Sequence, residues 1–160
     1  MPGIIQSAQS SPIKDPTLNK LAQSVEGKVS AALRPQLMAT IVSGMQVMFS
    51  QQTAGMLKQR LSTANPDQTV PQGIAQLMAV VYKESGRKMD IRIAAPAAIV
   101  LMCHALDFGE QTGITQPMNA QQFAQLAQDT AMAVLKVFGI GQPQIDAAVQ
   151  RGQGAQNGNA

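Results

Sequence analysis

Apolar residues recur every three or four positions along most of the chain, and no useful length of it alternates apolar with polar residues. In the first such segment, Leu18, Leu21 and Val25 follow Asp15 and Pro16. A carboxylate at the N-cap followed by proline at the first helical position is a typical helix start. The spacing places the apolar side chains on one helix face. The pattern therefore predicts an amphipathic helix from Asp15 and an all-α fold.

Clusters of turn-forming residues divide the rest of the chain into further helical segments. The longest are "STANPDQTVPQG" and "KESGRKMD", which carry the prolines and glycines typical of breaks. The predicted helices run from Pro35 to about Leu61, from Pro71 to about Tyr82, from Ile91 to Phe108, from the Asn119 cap to Gly139, and from Pro143 to Val149. The expected architecture is a five- or six-helix bundle-like domain with extended polar arms at both ends.

Three regions follow from this division. Residues 1–14 are predicted to form a polar N-terminal arm, and residues 15–150 a single helical domain. Residues 151–160 are Gly- and Gln-rich, with almost nothing apolar to bury, so we expect a disordered tail.

Two segments carry no formal charge. Ile93 to Leu106 is 14 residues long, or roughly 21 Å as a helix, which is short of the roughly 30 Å hydrocarbon core of a bilayer. It is predicted to be a core helix. Pro35 to Leu57 is long enough to cross a bilayer, but amides and hydroxyls make one side polar. Three interpretations stay open for it: a long helix in a soluble bundle, a helix lining an oligomeric pore or tube, or an oligomer interface.

This second segment supplies the candidate residues for assembly. One face is predicted to pack against other copies through Met38, Ile41, Met45, Met48 and Phe49. The opposite face is predicted to meet water or a lumen through Gln36, Ser43, Gln46 and Ser50.

Composition supports association over chemistry. Charged residues make up 13% of the chain and aromatic residues 3%, with ten methionines, whereas charged residues average about 25% in globular proteins. A weakly charged, Gln-covered surface repels copies of itself poorly, so we expect a homo-oligomer. The net charge of +3 is small, and the N-terminus has no secretory signal peptide.

Few residues qualify as catalytic or metal-binding. Cys103 and His104 are neighbours on a predicted helix and point about 100° apart, so they do not form a nucleophile–base pair. His104 and Asp107 are three residues apart, which suits either a fragment of an acid–base site or ordinary pairing of a half-buried imidazole. Asp107 and Glu110 are interpreted as a solvated helix end. One histidine and one cysteine cannot complete a zinc site. We therefore expect no enzyme activity, cofactor, metal or small-molecule substrate.

The one cluster of charge lies in "YKESGRKMDIR". Its bases could contact phosphates or an acidic partner, and the alternative is a solvated turn between helices. Tyr82 is the one aromatic residue nearby that could stack on a base. The candidate contact residues are Lys83, Arg87, Lys88 and Arg92.

The texture of the chain resembles that of small Ala-, Gln- and Met-rich helical proteins encoded among the structural genes of tailed bacteriophages. The resemblance is carried by the polar ends "MPGIIQSAQSSPIKDP" and "RGQGAQNGNA", the apolar "IAAPAAIVLMCHALDFGEQTGI" and the helix "NAQQFAQLAQDTAMAVLKVFGI". These proteins include virion-associated and internal (ejection) proteins, and the resemblance carries over no functional residue.

The resemblance implies a non-enzymatic structural role in a phage particle. Ejection proteins leave the capsid and form a conduit for DNA delivery, which would suit a charge-poor helix. The expected partners are copies of the chain and other virion proteins, with contact to DNA or the host membrane. The protein would be made in the host cytoplasm, reside in the virion and reach the host envelope on delivery. The alternative is a soluble adaptor or regulator that binds a protein partner through a Met-rich apolar groove.

Overall fold

The computed structural model describes residues 13–62, 66–86, 88–116 and 118–139, and within these ranges every regular element is a helix. The all-α prediction is confirmed. The helices are α1 (Pro16–Lys28), α2 (Arg34–Met48), α3 (Gln51–Leu61), α4 (Pro66–Glu84), α5 (Ile91–Gln111) and α6 (Ala120–Val137). The sixth predicted helix, the tail and the first 12 residues of the arm lie outside the described residues.

Two predicted helix starts are confirmed with their caps. The Asp15 carboxylate accepts hydrogen bonds from the backbone amides of Thr17 and Leu18, at 2.8 and 3.2 Å. Asn119 and Gln122 form a reciprocal capping box at the start of α6. Each cap satisfies amides that a helix leaves unpaired at its first turn. The predicted end of α6 is also confirmed, since Gly139 has φ +77° and stops the helix.

The predicted helix from Pro35 to Leu61 is wrong in one respect, because the chain breaks between α2 and α3. Ser50 has an extended backbone (φ −67°, ψ 157°) and its Oγ donates to the carbonyl of Val47 at 2.9 Å. Serine competes with helical hydrogen bonds in this way. The 15 residues of α2 span only about 22 Å. The charge-free run is therefore not one bilayer-length helix.

The start of the next helix was predicted five residues too late. α4 begins at Pro66 and continues through Pro71, which is buried inside the helix. At this position the missing N–H removes one hydrogen bond to the preceding turn, which is less costly near a helix start than at its centre. Pro96 occupies the same place in α5, six residues into the helix.

Helix α5 is the centre of the fold and packs against each of the other five described helices. Most of its apolar residues are buried, although Ile91 at its first position is exposed, and this burial confirms the predicted core helix. It extends to Gln111, beyond the predicted end at Phe108. Among the described helices, α5 is the one with the length and hydropathy to cross a membrane, and 56% of its most apolar window is buried inside the protein.

Small residues let α2 lie close to α5. A Cβ atom at Gly44 of α2 would collide with the Leu101 side chain of α5, which is itself fully buried. Glycine at this position therefore sets how closely the two helices approach.

Helix α1 has few packing partners among the described helices. It packs mainly on α5 and makes only slight contact with α6. Leu18 and Ala22 are its buried residues, and Ile13 just before it also joins the core. The predicted polar arm, which was expected to run to residue 14, is thus wrong at Ile13.

Candidate functional site

Most of the residues predicted to pack between copies are used inside the single chain. Ile41, Met45 and Met48 are buried in the core, and Met38 packs against it. These side chains follow the helical period of α2 correctly, but their partners are α5 and its neighbours. Phe49 is 37% exposed and meets Phe108 edge to face, with ring centroids 5.3 Å apart. Phe49 and, in part, Met38 are the members of this predicted face that remain accessible.

The residues predicted to face water are partly accessible. Gln36 and Gln46 are exposed, whereas Ser43 and Ser50 are half-buried. Gln36 has a structural role as well, because its Oε1 accepts a hydrogen bond from the backbone amide of Asp90 at 3.0 Å. This bond ties the start of α2 to the residue that caps α5.

In the predicted basic cluster, one base is paired with a neighbouring acid. Arg92 makes an ion pair with Asp90 at 2.7 Å, and hydrogen bonds from Arg92 hold the pKa of Asp90 below its usual value. Arg87 lies outside the described residues. Among the described residues of the cluster, Lys83 and Lys88 are exposed, and Arg92 is exposed but paired with Asp90.

A polar groove of about 360 Å³ lies between α2 and the end of α4. It brings together residues that the sequence analysis assigned to separate roles, since Gln36 and Ser43 line it with Lys88. Glu84 also lines it, and the Thr40 hydroxyl is engaged with the carbonyl of Gln36. One acid, one base and hydroxyl groups can bind polar ligands, but this set contains no activated nucleophile.

An apolar groove of about 200 Å³ lies between α3 and α4. None of its lining residues carries a formal charge. Met56 and Val80 line it and are 53% and 41% exposed. We call this surface the apolar groove; its lining comprises Val47, Met48, Met56, Leu57, Leu61, Val70, Gly73, Ile74, Gln76, Leu77, Val80 and Ala105.

This groove was not predicted from the sequence, because three helices and one residue of α5 build it. Met48 and Leu57 belong to the segment that was predicted as one helix, and the break at Ser50 folds α3 back towards α4. The exposed Met56 was the available signal, since it falls among Gln and Lys residues in α3.

The Cys103 thiol is fully buried, and burial raises its pKa to about 12. The carboxylates of Glu26 and Asp15 also disfavour its ionisation. The thiolate is the nucleophilic form of cysteine, so this thiol is inert at neutral pH. Burial lowers the pKa of the neighbouring His104, and the negative charge of Asp107 opposes that shift.

The interpretation of Asp107 and Glu110 as a solvated helix end is wrong. The backbone amide of Asp15 donates to Asp107 Oδ1 at 3.0 Å, across 92 sequence positions. Glu110 Oε1 is inaccessible to solvent and has no hydrogen-bond partner. Burial, followed by interaction with Asp15 and Asp107, raises the pKa of Glu110 to about 7. Asp15, the residue that caps α1, contributes to this environment.

These three carboxyl groups do not form a metal centre. In the described ranges, no three Asp, Glu, His or Cys side chains converge in a way that could hold a metal ion.

The chain matches no protein-family model, and comparison with curated proteins and with solved structures found no similar protein.

Proposed function

We propose that this chain is a non-enzymatic assembly protein that self-associates through the apolar groove. The observation that carries the proposal is an uncharged groove with exposed methionine and valine side chains along it. The buried thiol and the partly paired basic cluster offer no comparable site for chemistry.

Self-association is favoured by what lines the groove. Burying an exposed apolar side chain contributes about 1.5–3 kcal/mol, and methionine adapts its shape to an irregular partner. In a two-fold interface the same patch meets itself, so Met56 of each copy would enter the groove of the other. The residues that line the groove carry no formal charge. Two grooves could therefore face each other without repulsion between their lining residues.

The specific form of this proposal is a structural protein of a phage virion. It rests on the compositional resemblance and on the low charge of the chain. In this form the partners are further copies and other virion proteins. Contact with DNA would use the exposed Lys83 and Lys88, and an internal protein of this kind would contribute to a DNA-delivery conduit at the host envelope.

Light scattering coupled to size-exclusion chromatography tests self-association. We expect the full-length wild type to form a discrete oligomer, and Met56→Glu and Val80→Glu to shift it to monomer by placing charge in the groove. Val137→Glu is the matched control, because Val137 is exposed at 47% but does not line the groove. A wild type that stays monomeric at all concentrations would contradict the proposal, as would an unchanged oligomer in both groove variants.

Two further tests address the virion form. Dye release from liposomes is expected if the protein forms a conduit, and no leakage at any protein concentration contradicts that form. Portal, capsid or tail genes beside the coding sequence would support a virion role, and their absence would count against it.

A second candidate is the adaptor that binds a partner protein through a Met-rich groove. The observation in its favour is that Met48 and Met56 both line the apolar groove. It predicts a monomeric wild type whose partner binding is lost in Met56→Glu and kept in Val137→Glu.

A further inference from the structure

The polar groove of about 360 Å³ between α2 and the end of α4 has the size of a ligand site. Small-molecule sites in proteins measure about 300–1,000 Å³. The residues of α2 that line the groove recur every three or four positions from Gln36 to Ser43, so they share one face of that helix. Residues between Val81 and Met89 form the opposite side. Most of the lining residues are polar or charged, so the groove suits a polar ligand.

One set of lining groups can donate hydrogen bonds to a ligand. Gln36 Oε1 accepts a hydrogen bond from the backbone amide of Asp90 at 3.0 Å, which leaves its Nε2 as the group that can donate. Lys88, two residues before Asp90, adds an exposed ammonium group. The carboxylate of Asp90 is paired with Arg92 and does not compete for these donors. An amide and an ammonium group together suit a carboxylate.

A second set of lining groups can only accept hydrogen bonds. The Ser85 hydroxyl donates to the carbonyl of Tyr82 at 2.7 Å, and the Thr40 hydroxyl donates to the carbonyl of Gln36 at 2.8 Å. Each hydroxyl has thus used its proton, and its oxygen is left as an acceptor. Glu84, next to Ser85 in sequence, supplies an exposed carboxylate. Hydroxyl oxygens and a carboxylate together suit an ammonium group, which has three donors and no acceptor.

The two charged residues of the groove are free to meet a ligand. In the part of the chain that the structure describes, Arg92 is paired with Asp90, whereas Glu84 and Lys88 are in no ion pair. The groove also has apolar walls that can pack against aliphatic atoms of a ligand. The residues that form these walls are Ala39, Val81 and Met89.

We propose that the polar groove binds a small aliphatic amino acid as a zwitterion, with its carboxylate at Lys88 and Gln36 and its ammonium group at Glu84. A zwitterion matches the groove better than a singly charged ion, because either Glu84 or Lys88 would repel such an ion. The ligand is bound and released unchanged, since the lining contains no activated nucleophile. The site is separate from the proposed self-association, because among the described residues the two grooves share no lining residue.

Saturation-transfer NMR with L-leucine as the probe tests the site on the full-length chain, and it detects weak binding to a monomer or an oligomer alike. Two truncated probes separate the charges, because 3-methylbutylamine lacks the carboxylate and 4-methylpentanoate lacks the ammonium group. We expect each to bind about fivefold more weakly than leucine, since each loses one exposed charge pair.

Charge variants assign each end of the ligand. Glu84→Gln should weaken leucine and 3-methylbutylamine about fivefold without weakening 4-methylpentanoate. Lys88→Gln should do the reverse, weakening leucine and 4-methylpentanoate but not 3-methylbutylamine. Lys83→Gln is the matched control, because Lys83 is exposed near the end of α4 but does not line the groove. It should leave the binding of all three probes unchanged.

A bulky side chain tests the location. Ala39→Trp should fill the groove and abolish leucine binding, whereas Gln46→Trp should not, because Gln46 is exposed on the same helix but lies outside the groove. Far-UV circular dichroism checks that each variant is folded. If Ala39→Trp does not fold, the two charge variants decide the location.

Three results would overturn the proposal. These are no saturation transfer to leucine at millimolar concentration, equal binding of the three probes, and leucine binding that is unchanged in Glu84→Gln and Lys88→Gln or in folded Ala39→Trp. Met56→Glu should bind leucine as the wild type does, so a failure of self-association does not affect this test.

Discussion

The hydroxyl of Thr130 on α6 donates a hydrogen bond to the thioether sulfur of Met102 on α5, over 3.4 Å. Both side chains are fully buried. A thioether is a weak acceptor, yet here it satisfies a hydroxyl group in the interface between two core helices. A methionine in this core thus has a polar role in addition to filling space.

Removing only the sulfur acceptor of this hydrogen bond should lower the stability of the protein. Met102→Leu keeps most of the apolar volume but leaves the Thr130 hydroxyl buried without its partner, so we expect a loss of about 1–3 kcal/mol in the free energy of unfolding. Urea unfolding followed by circular dichroism measures it.

The double variant Met102→Leu/Thr130→Val is the control. Replacing both partners by apolar groups of similar shape should recover most of that loss. A double variant as unstable as the sum of the two single variants would show that the hydrogen bond contributes nothing.

Because α2 lies close to α5 at Gly44, even a methyl side chain at this position should lower the stability of the fold. Gly44→Ala should destabilise the fold by about 1–3 kcal/mol, because the new methyl group overlaps the buried Leu101 side chain. Gly55→Ala is the matched control, since a Cβ at this exposed helical position meets nothing within 4 Å. It should stabilise by about 0.5–1 kcal/mol. Thermal and urea unfolding of both variants test this, and equal effects would contradict the close-packing explanation.

Acidification should expose the contribution of His104. Burial holds its pKa below 6.5 in the folded state, so the unfolded chain takes up the proton first as pH falls. Stability from this group is complete above pH 6.5 and is lost as pH falls through the folded pKa.

His104→Gln should remove that loss. We therefore expect the wild type to lose stability relative to His104→Gln between pH 7.5 and 5, measured by urea unfolding at each pH. The comparison cancels the opposite contribution of Glu110, which is present in both proteins. A constant difference between the two proteins would mean that His104 is equally basic in both states.

The capping box of α6 predicts that substitutions at Asn119 lower stability to different degrees. Asn119→Ala should cost about 0.5–2 kcal/mol, because the amide of Gln122 loses its acceptor. Asn119→Ser should retain most of the stability, since serine caps helices nearly as well. The order of the midpoints of unfolding checks the assignment, and an alanine variant as stable as the serine variant would contradict it.

Local signals in the sequence were sufficient for the parts of the fold that depend on local chemistry. The caps at Asp15 and Asn119 bind backbone amides in the first turn of their own helices. The apolar period of α5 likewise repeats every one or two turns of the same helix. The break at Ser50 was not evident, because the apolar period continues across it to Met56 and Leu57. Pro71 was predicted to begin its helix because proline suits a helix start, whereas it lies inside α4.

The candidate sites were predicted less well because they are built across helices. The pattern of α2 identified Ile41, Met45 and Met48 as a packing face, but periodicity alone does not distinguish a neighbour in the same chain from another copy. The environment of Glu110 includes Asp15, which lies 95 positions earlier in the sequence. Neither relationship leaves a signal at fixed spacing in the sequence.

The central position of α5 has a consequence for the order in which the protein can fold during synthesis. Translation releases α1 before the other described helices, but its main partner is the fifth of them, which ends at Gln111. Until that residue has left the ribosome, Leu18 and Ala22 lack the surface that buries them. The nascent chain must therefore carry α1 undocked until α5 has been made, so the first described helix to be synthesised is among the last of them to reach its final place.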